Sequence, residues 1–273
     1  MLGIDLVRSL EAAGYKVVGL NRSNFDFHCS EEDLAEVLIG SKFVVNAAAY
    51  TQVDDAEFHE EEANFINGNF VGKLARSCFS VETTLFQIST DYVFDGSAKD
   101  PYSVRDATNP RTAYGFSKCL GEEVLKEYST DSMIIRTSWL FGASGKNFPK
   151  VIARKLLSGE TVSVVDDQEG TPTWTWDVSQ MILRYMEIDD RPNIVHATAS
   201  GSCSWFEFAR EVANSLGVDP DALVRPVSSA TYQSAAPRPK YSVLDNTEGP
   251  IPPIGNWQAR WQVAAPEVLA SLD

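Results

Sequence analysis

Four short, mainly apolar runs, at residues 17–20, 43–47, 85–88 and 133–135, punctuate the first half of this chain. Runs that are continuous rather than alternating mark strands covered on both faces. Helical stretches separate them, read as 4–13, 31–39, 60–79 and 113–128. Gly14 ends the first, and Ser30 with Asp33 caps the second. Strand and helix in alternation predict an α/β fold built on a doubly wound parallel sheet.

The rhythm changes after Phe141. Gly142, Gly145, Pro149, Gly170, Pro172, Pro192, Gly201 and a proline-rich stretch at 237–253 break the chain into shorter elements. A smaller substrate domain over 146–273 would follow a nucleotide-binding domain over 1–145. The amphipathic stretch 174–186 suits a helix that packs back on the first domain, so 174–197 is read as returning to it.

The formal charge of −15 excludes most nucleic-acid binding, because phosphate neutralisation needs a basic face and no basic cluster is present. No apolar run approaches membrane-spanning length, and the start has neither a basic region nor a cleavage site. The four cysteines, Cys29, Cys78, Cys119 and Cys203, are far apart and show no paired metal-ligand spacing. Cytosolic thiols in a soluble, cytoplasmic protein are therefore expected, with no nucleic-acid or membrane partner. Any divalent-metal requirement and the oligomeric state, a homodimer included, are left open. The histidines, His28, His59 and His196, share no motif.

Chemistry concentrates in Ser89-Thr90-Asp91-Tyr92-Val93-Phe94-Asp95-Gly96 and Tyr114-Gly115-Phe116-Ser117-Lys118. The strand before Thr90 would deliver it to the carboxyl end of the sheet, where open α/β folds bind ligands. Tyr114 and Lys118, four apart on a helix, share one face. A phenol beside an ammonium is easier to ionise, which suits a proton donor near neutral pH. Thr90 would add a hydroxyl bond to the same substrate oxygen. Together the three groups point to carbonyl reduction and an oxidoreductase.

After the apolar run ending at Leu20 comes Asn21-Arg22-Ser23. An arginine here accommodates the 2′-phosphate of NADP where an acid would hold the ribose of NAD. NADPH is thus the expected cofactor, with NADH usable; a solvated loop arginine is the alternative. Arg136, Trp139, Asn147 and Arg238 are candidates for an anionic sugar ligand, since arginine forks onto diphosphate and tryptophan covers a sugar or base. Arg136 could equally form a structural ion pair.

These segments, together with Asn46-Ala47-Ala48-Ala49-Tyr50-Thr51-Gln52-Val53-Asp54-Asp55-Ala56-Glu57, Gly121-Glu122, Arg136-Thr137-Ser138-Trp139, Gly145-Lys146-Asn147-Phe148, Asp167-Gln168-Glu169-Gly170-Thr171-Pro172-Thr173 and Pro237-Arg238-Pro239, resemble the dTDP-4-dehydrorhamnose reductases. These belong to the extended short-chain dehydrogenase/reductases. The resemblance runs to about Leu244 and implies a Rossmann-type fold. It implies Thr90, Tyr114 and Lys118 as catalytic residues. For the cofactor it implies Gly3, Arg22, Asp26, Ala47, Ala48 and Ala49 together with Tyr114 and Lys118. For the substrate it implies Thr90, Asp91, Tyr92, Trp139, Asn147 and Arg238. Asn67 matches a helix asparagine of the extended family, or is an ordinary surface amide.

The reaction so implied is hydride transfer from NADPH to carbon 4 of a dTDP-linked 4-keto-6-deoxy sugar, dTDP-4-dehydrorhamnose giving dTDP-rhamnose. Rival readings are a sugar-nucleotide dehydratase or epimerase and a non-catalytic subunit resembling the regulatory subunit of methionine adenosyltransferase. Tyr92 stands where the dehydratases place a glutamate, which counts against them. The family also has a first strand and a Gly-x-x-Gly-x-x-Gly turn before the first helix, and only Gly3 matches that turn here. The natural protein is accordingly expected to carry on the order of ten further residues at its start.

Overall fold

The runs beginning at Phe43, Leu85 and Met133 pair side by side as β1 (Phe43–Asn46), β2 (Thr84–Thr90) and β3 (Ser132–Thr137). With β4 (Ile194–His196) they form one parallel sheet in the order β1-β2-β3-β4. This is a computed structural model, which describes residues 1–128 and 132–272. Because side chains alternate across a strand, Leu85 and Ile134 face one side, and Phe86, Ile88, Met133 and Ile135 the other. Every residue of β2 is buried.

Helices cover both faces. On one side lie α1 (Leu2–Ala12) and, later in the chain, α6 (Thr175–Met186); on the other lie α2 (Glu31–Leu38), α3 (Phe70–Ser80) and α4 (Ala113–Tyr128). The expected cap of α2 is a full capping box: Ser30 Oγ accepts from the Asp33 amide at 3.0 Å, and Asp33 accepts from the Ser30 amide at 3.2 Å.

The expected helix over 60–79 follows one path from Glu60 to Ser80, with a wider π turn at Phe65–Asn69. Asn67 sits in that turn and is buried. Its amide donates to Tyr50 O and Ser117 Oγ and its oxygen accepts from Tyr50 N, so it is no surface amide.

The run at 17–20 corrects the expectation of a strand. It forms no ladder among the described residues, and Val18 is 73% exposed. A strand needs a hydrogen-bonding neighbour, and β1, at the sheet edge, pairs only with β2.

Past β3 the chain forms α5 (Phe148–Leu157), α7 (Trp205–Ser215) and α8 (Trp257–Ala270) around Phe141, Phe208, Trp257 and Trp261. Between α5 and α8 the chain returns to the sheet. The Ser9 and Ser179 hydroxyls meet at 2.6 Å, Thr175 Oγ1 donates to Asp5 at 2.5 Å, and β4 pairs with β3.

Candidate active site

β2 ends at Thr90, and the chain turns at once through Asp91–Val93. The Thr90 hydroxyl donates to Asp91 Oδ1 at 2.9 Å and accepts from the Tyr92 amide at 3.2 Å. α4 comes down directly onto this turn because Gly115 has no side chain; a Cβ there would strike the Tyr92 carbonyl. The close approach sets Tyr114 edge-on to Tyr92, two residues past Thr90, with ring centroids 5.6 Å apart.

Burial pushes the Tyr114 phenol up to about 12; the Thr90 hydroxyl opposes the rise and the Asp91 charge adds to it. Lys118, one turn on, is buried with its ammonium donating to Ile88 O at 2.6 Å. Burial brings it down to about 8 against the pull of Glu122. The expectation that Lys118 eases ionisation of Tyr114 is therefore corrected. Desolvation dominates, and one N–H of the ammonium is taken by a backbone carbonyl. The consequence favours a donor: Tyr114 keeps its proton at neutral pH. Asp91 is also pushed up, to about 6, by burial that the Ser242 and Thr90 hydroxyls only partly offset.

Beneath these groups Arg136 forks onto Glu122, Nε to Oε1 at 2.9 Å and one terminal nitrogen to Oε2 at 2.6 Å, and Ser89 Oγ donates to Glu122 at 2.6 Å. Both charged side chains are 1% exposed. Of the two readings of Arg136, the structure therefore has the ion pair, which ties β2, β3 and α4 together.

On the other side of the cleft, Trp139 adopts a left-handed backbone, φ 45°, and stacks face to face on Trp205. Arg238 donates to Asp54 at 2.5 Å and separates two cavities. One, of about 260 Å³, is lined by Tyr92, Arg111 and Thr112; the other, of about 590 Å³, by Gln168, Tyr232 and Gln233. Asn147 is not with them. It caps α5, its oxygen accepting from the Lys150 amide at 3.3 Å and its amide donating to Gly142 O at 2.7 Å. The expectation of a substrate ligand is corrected, because both polar atoms are committed to the fold.

Of the cofactor candidates, Ala47, Ala48 and Ala49 follow β1 and are partly buried. Arg22 lies exposed in a turn closed by Asn24 N to Asn21 O at 3.0 Å, and its charge is felt at Tyr50, just after the alanines. Asp26 accepts from the His28 amide at 2.8 Å. Gly3 was expected to end a turn; instead α1 starts at Leu2, and Gly3 lies exposed in its first turn.

Sequence reasoning gave no role to Glu122, Asp54 or Trp205. Glu122 and Asp54 stand inside quoted motifs, but Asp54 meets an arginine 184 residues away, a distance no local pattern spans. Four residues on the helix separate Lys118 from Glu122, and that spacing was the one available signal.

Residues 1–273 match the family described as RmlD substrate binding domain. A dTDP-4-dehydrorhamnose reductase of Streptomyces griseus is 38% identical over 268 residues, covering 95% of this chain and 88% of that one. A probable dTDP-4,6-dihydroxy-2-methyloxan-3-one 4-ketoreductase of Streptomyces antibioticus is 37% identical, covering 99% and 93%. Among solved structures, a dTDP-4-dehydrorhamnose reductase of Bacillus anthracis in complex with NADP superposes with a TM-score of 0.92 at 32% identity, over 97% of this chain and 95% of that one.

Proposed function

The chain belongs to the RmlD substrate binding domain family, that of the dTDP-4-dehydrorhamnose reductases, and on that premise we propose how its site works. It is an NADP-dependent oxidoreductase that reduces the 4-keto group of a dTDP-linked sugar, dTDP-4-dehydrorhamnose yielding dTDP-rhamnose.

The carrying observation is the convergence of Thr90, Tyr114 and Lys118 at the carboxyl end of β2, with Tyr114 held in its protonated form. When bound, NADPH supplies the hydride. The residues around the cleft fit such a cofactor. Lys118 has three N–H donors and gives one to Ile88, leaving others for the nicotinamide ribose. Gly3, with open space beside it, lies in the first turn of α1, a place that suits a pyrophosphate. Ala47, Ala48 and Ala49 leave room at the end of β1, Asp26 takes the adenosine end, and Arg22 reads the 2′-phosphate.

Tyr114 gives its proton to the carbonyl oxygen as negative charge develops there. Thr90 aligns that oxygen, and a donor fixed in advance stabilises the charge without reorganising. Tyr92 and Asp91 border the sugar, Trp139 covers its apolar face, and Arg238 exchanges Asp54 for the diphosphate. On this reading residues 1–145 hold the cofactor and 146–273 mainly the sugar nucleotide, with 174–197 belonging to the first unit. We place the reaction in the cytoplasm because the four cysteines form no disulfide framework. The test is NADPH oxidation in the presence of dTDP-4-dehydrorhamnose: one cofactor consumed per sugar reduced supports the reading, and conversion of a sugar nucleotide with no net consumption sinks it.

A further inference from the structure

Trp139 leaves the sheet two residues beyond Thr137, the register partner of Thr90, so it emerges at the same edge as the proposed catalytic threonine. Its φ of 45° lies in the left-handed region that bulky side chains seldom enter. Three contacts hold it there. The Thr173 amide donates to Trp139 O at 3.2 Å. Gly170 lies so close under the indole that a Cβ would collide with it. Trp205 stacks on its face, centroids 3.4 Å apart and planes within 6°.

Trp205 is itself firmly anchored. It is the first residue of α7, whose cap Ser204 forms a capping box with Glu207 and donates to Asp166 at 2.7 Å. Ser204 and Cys203 pair with Glu169 and Gly170, so the floor under Trp139 and the ring upon it come from one small unit. Phe148 packs against Trp205 at 4.6 Å. Free aromatic rings prefer offset or edge-on contact to full overlap, so the anchors impose this stack. Both indoles are partly buried, and neither indole N–H has a hydrogen-bond partner among the described residues.

We propose that Trp205 is a positioning residue for the sugar nucleotide: it never needs to touch the ligand, but fixes the plane of Trp139 as a ready-made platform for the hexose ring. The inference rests on the reading that Trp139 covers the sugar. A ring already fixed in place saves the ordering cost that binding would otherwise meet. Loss of the support falls on substrate affinity, while the proton donor and the cofactor half are untouched.

The experiment compares Trp205→Leu, Trp205→Phe and Trp139→Leu in steady-state kinetics, with circular dichroism of each. Trp205→Leu, which keeps apolar bulk, should raise KM for dTDP-4-dehydrorhamnose about three- to tenfold, with kcat and the KM for NADPH little changed. Trp205→Phe, which keeps a ring, should recover most of that loss. The exciton couplet of the stacked indoles should vanish in all three variants, and adding dTDP-rhamnose should alter it in the wild type. A wild-type KM in Trp205→Leu, with the couplet gone, overturns the proposal. If Trp139→Leu raises KM and Trp205→Leu does not, the positioning role alone fails; if Trp139→Leu changes nothing, the reading of Trp139 fails first. Should Trp205→Leu not fold, Trp205→Met takes its place, and a wild-type KM in that variant with the couplet gone overturns the proposal equally.

Discussion

β2 and β1 lie side by side, yet one is enclosed and the other is an edge. β2 is flanked by strands on both sides and buried along its whole length. β1 has one hydrogen-bonded neighbour, its first three residues are only partly buried, and the apolar run at 17–20 lies unpaired among the described residues. The groups proposed to do chemistry hang from the enclosed strand and its helix α4. Those proposed to read the cofactor, Arg22, Asp26 and Gly3, stand at the exposed side. Proton transfer needs fixed geometry, which a buried, fully bonded frame provides. Recognition of a charged group at the surface needs less.

The largest test of that contrast removes a single oxygen. Tyr114→Phe keeps the ring but loses the donor, and kcat should fall roughly a hundred- to ten-thousandfold while both ligands still bind. Wild-type turnover would break the assignment of chemistry to the enclosed side.

Next comes the frame itself. Glu122→Gln leaves the Arg136 guanidinium buried without its counter-charge and should cost about 3–5 kcal/mol in urea denaturation. Replacing both partners with apolar residues, Glu122→Leu with Arg136→Met, should cost far less. Equal losses would mean that packing, not charge, holds β2 to β3.

Smaller effects belong to the cofactor. Arg22→Ala should weaken NADPH by about ten- to a hundredfold while sparing NADH, the worth of charge-assisted bonds to one phosphate. Equal losses would move phosphate recognition elsewhere. The pH profile then probes Lys118. Burial disfavours the ammonium and lowers its pKa to about 8, so the charge present at neutral pH is lost as pH rises through that value. The kcat/KM should therefore be flat between about pH 7 and pH 8, above the titration of Asp91, and fall up to about tenfold per unit beyond it. In Lys118→Arg the descent should shift to higher pH, because arginine stays charged.

The unpaired run beside β1 should be the least sensitive to change. Val18→Thr, at an exposed position, should change stability by no more than about 0.5 kcal/mol. A loss of more than about 1 kcal/mol would mean that residues 15–20 are covered in solution.

Much of the frame was legible because it is written locally. Continuous apolar runs became β1, β2 and β3 where each found a partner, and Ser30 with Asp33 became a capping box because the motif closes within one turn. The run at 17–20 is apolar too but formed no strand, since pairing is a property of two segments and not of one. Asn147 misled for a related reason: its motif fixed the residue, but only the folded chain directs its amide to Gly142.

Local pattern alone settles which side chains reach the carboxyl edge of the sheet. A strand ending at Thr90 and a helix carrying Tyr114 and Lys118 on one face require nothing beyond periodicity and order. Tertiary structure decided their electrostatics and their partners. Burial raised Tyr114 and lowered Lys118 against the expectation from proximity, because desolvation depends on everything that surrounds a group, not on its neighbour in the helix. Likewise Arg136 chose Glu122, Arg238 chose Asp54 and Trp139 chose Trp205 across separations that only chain folding closes.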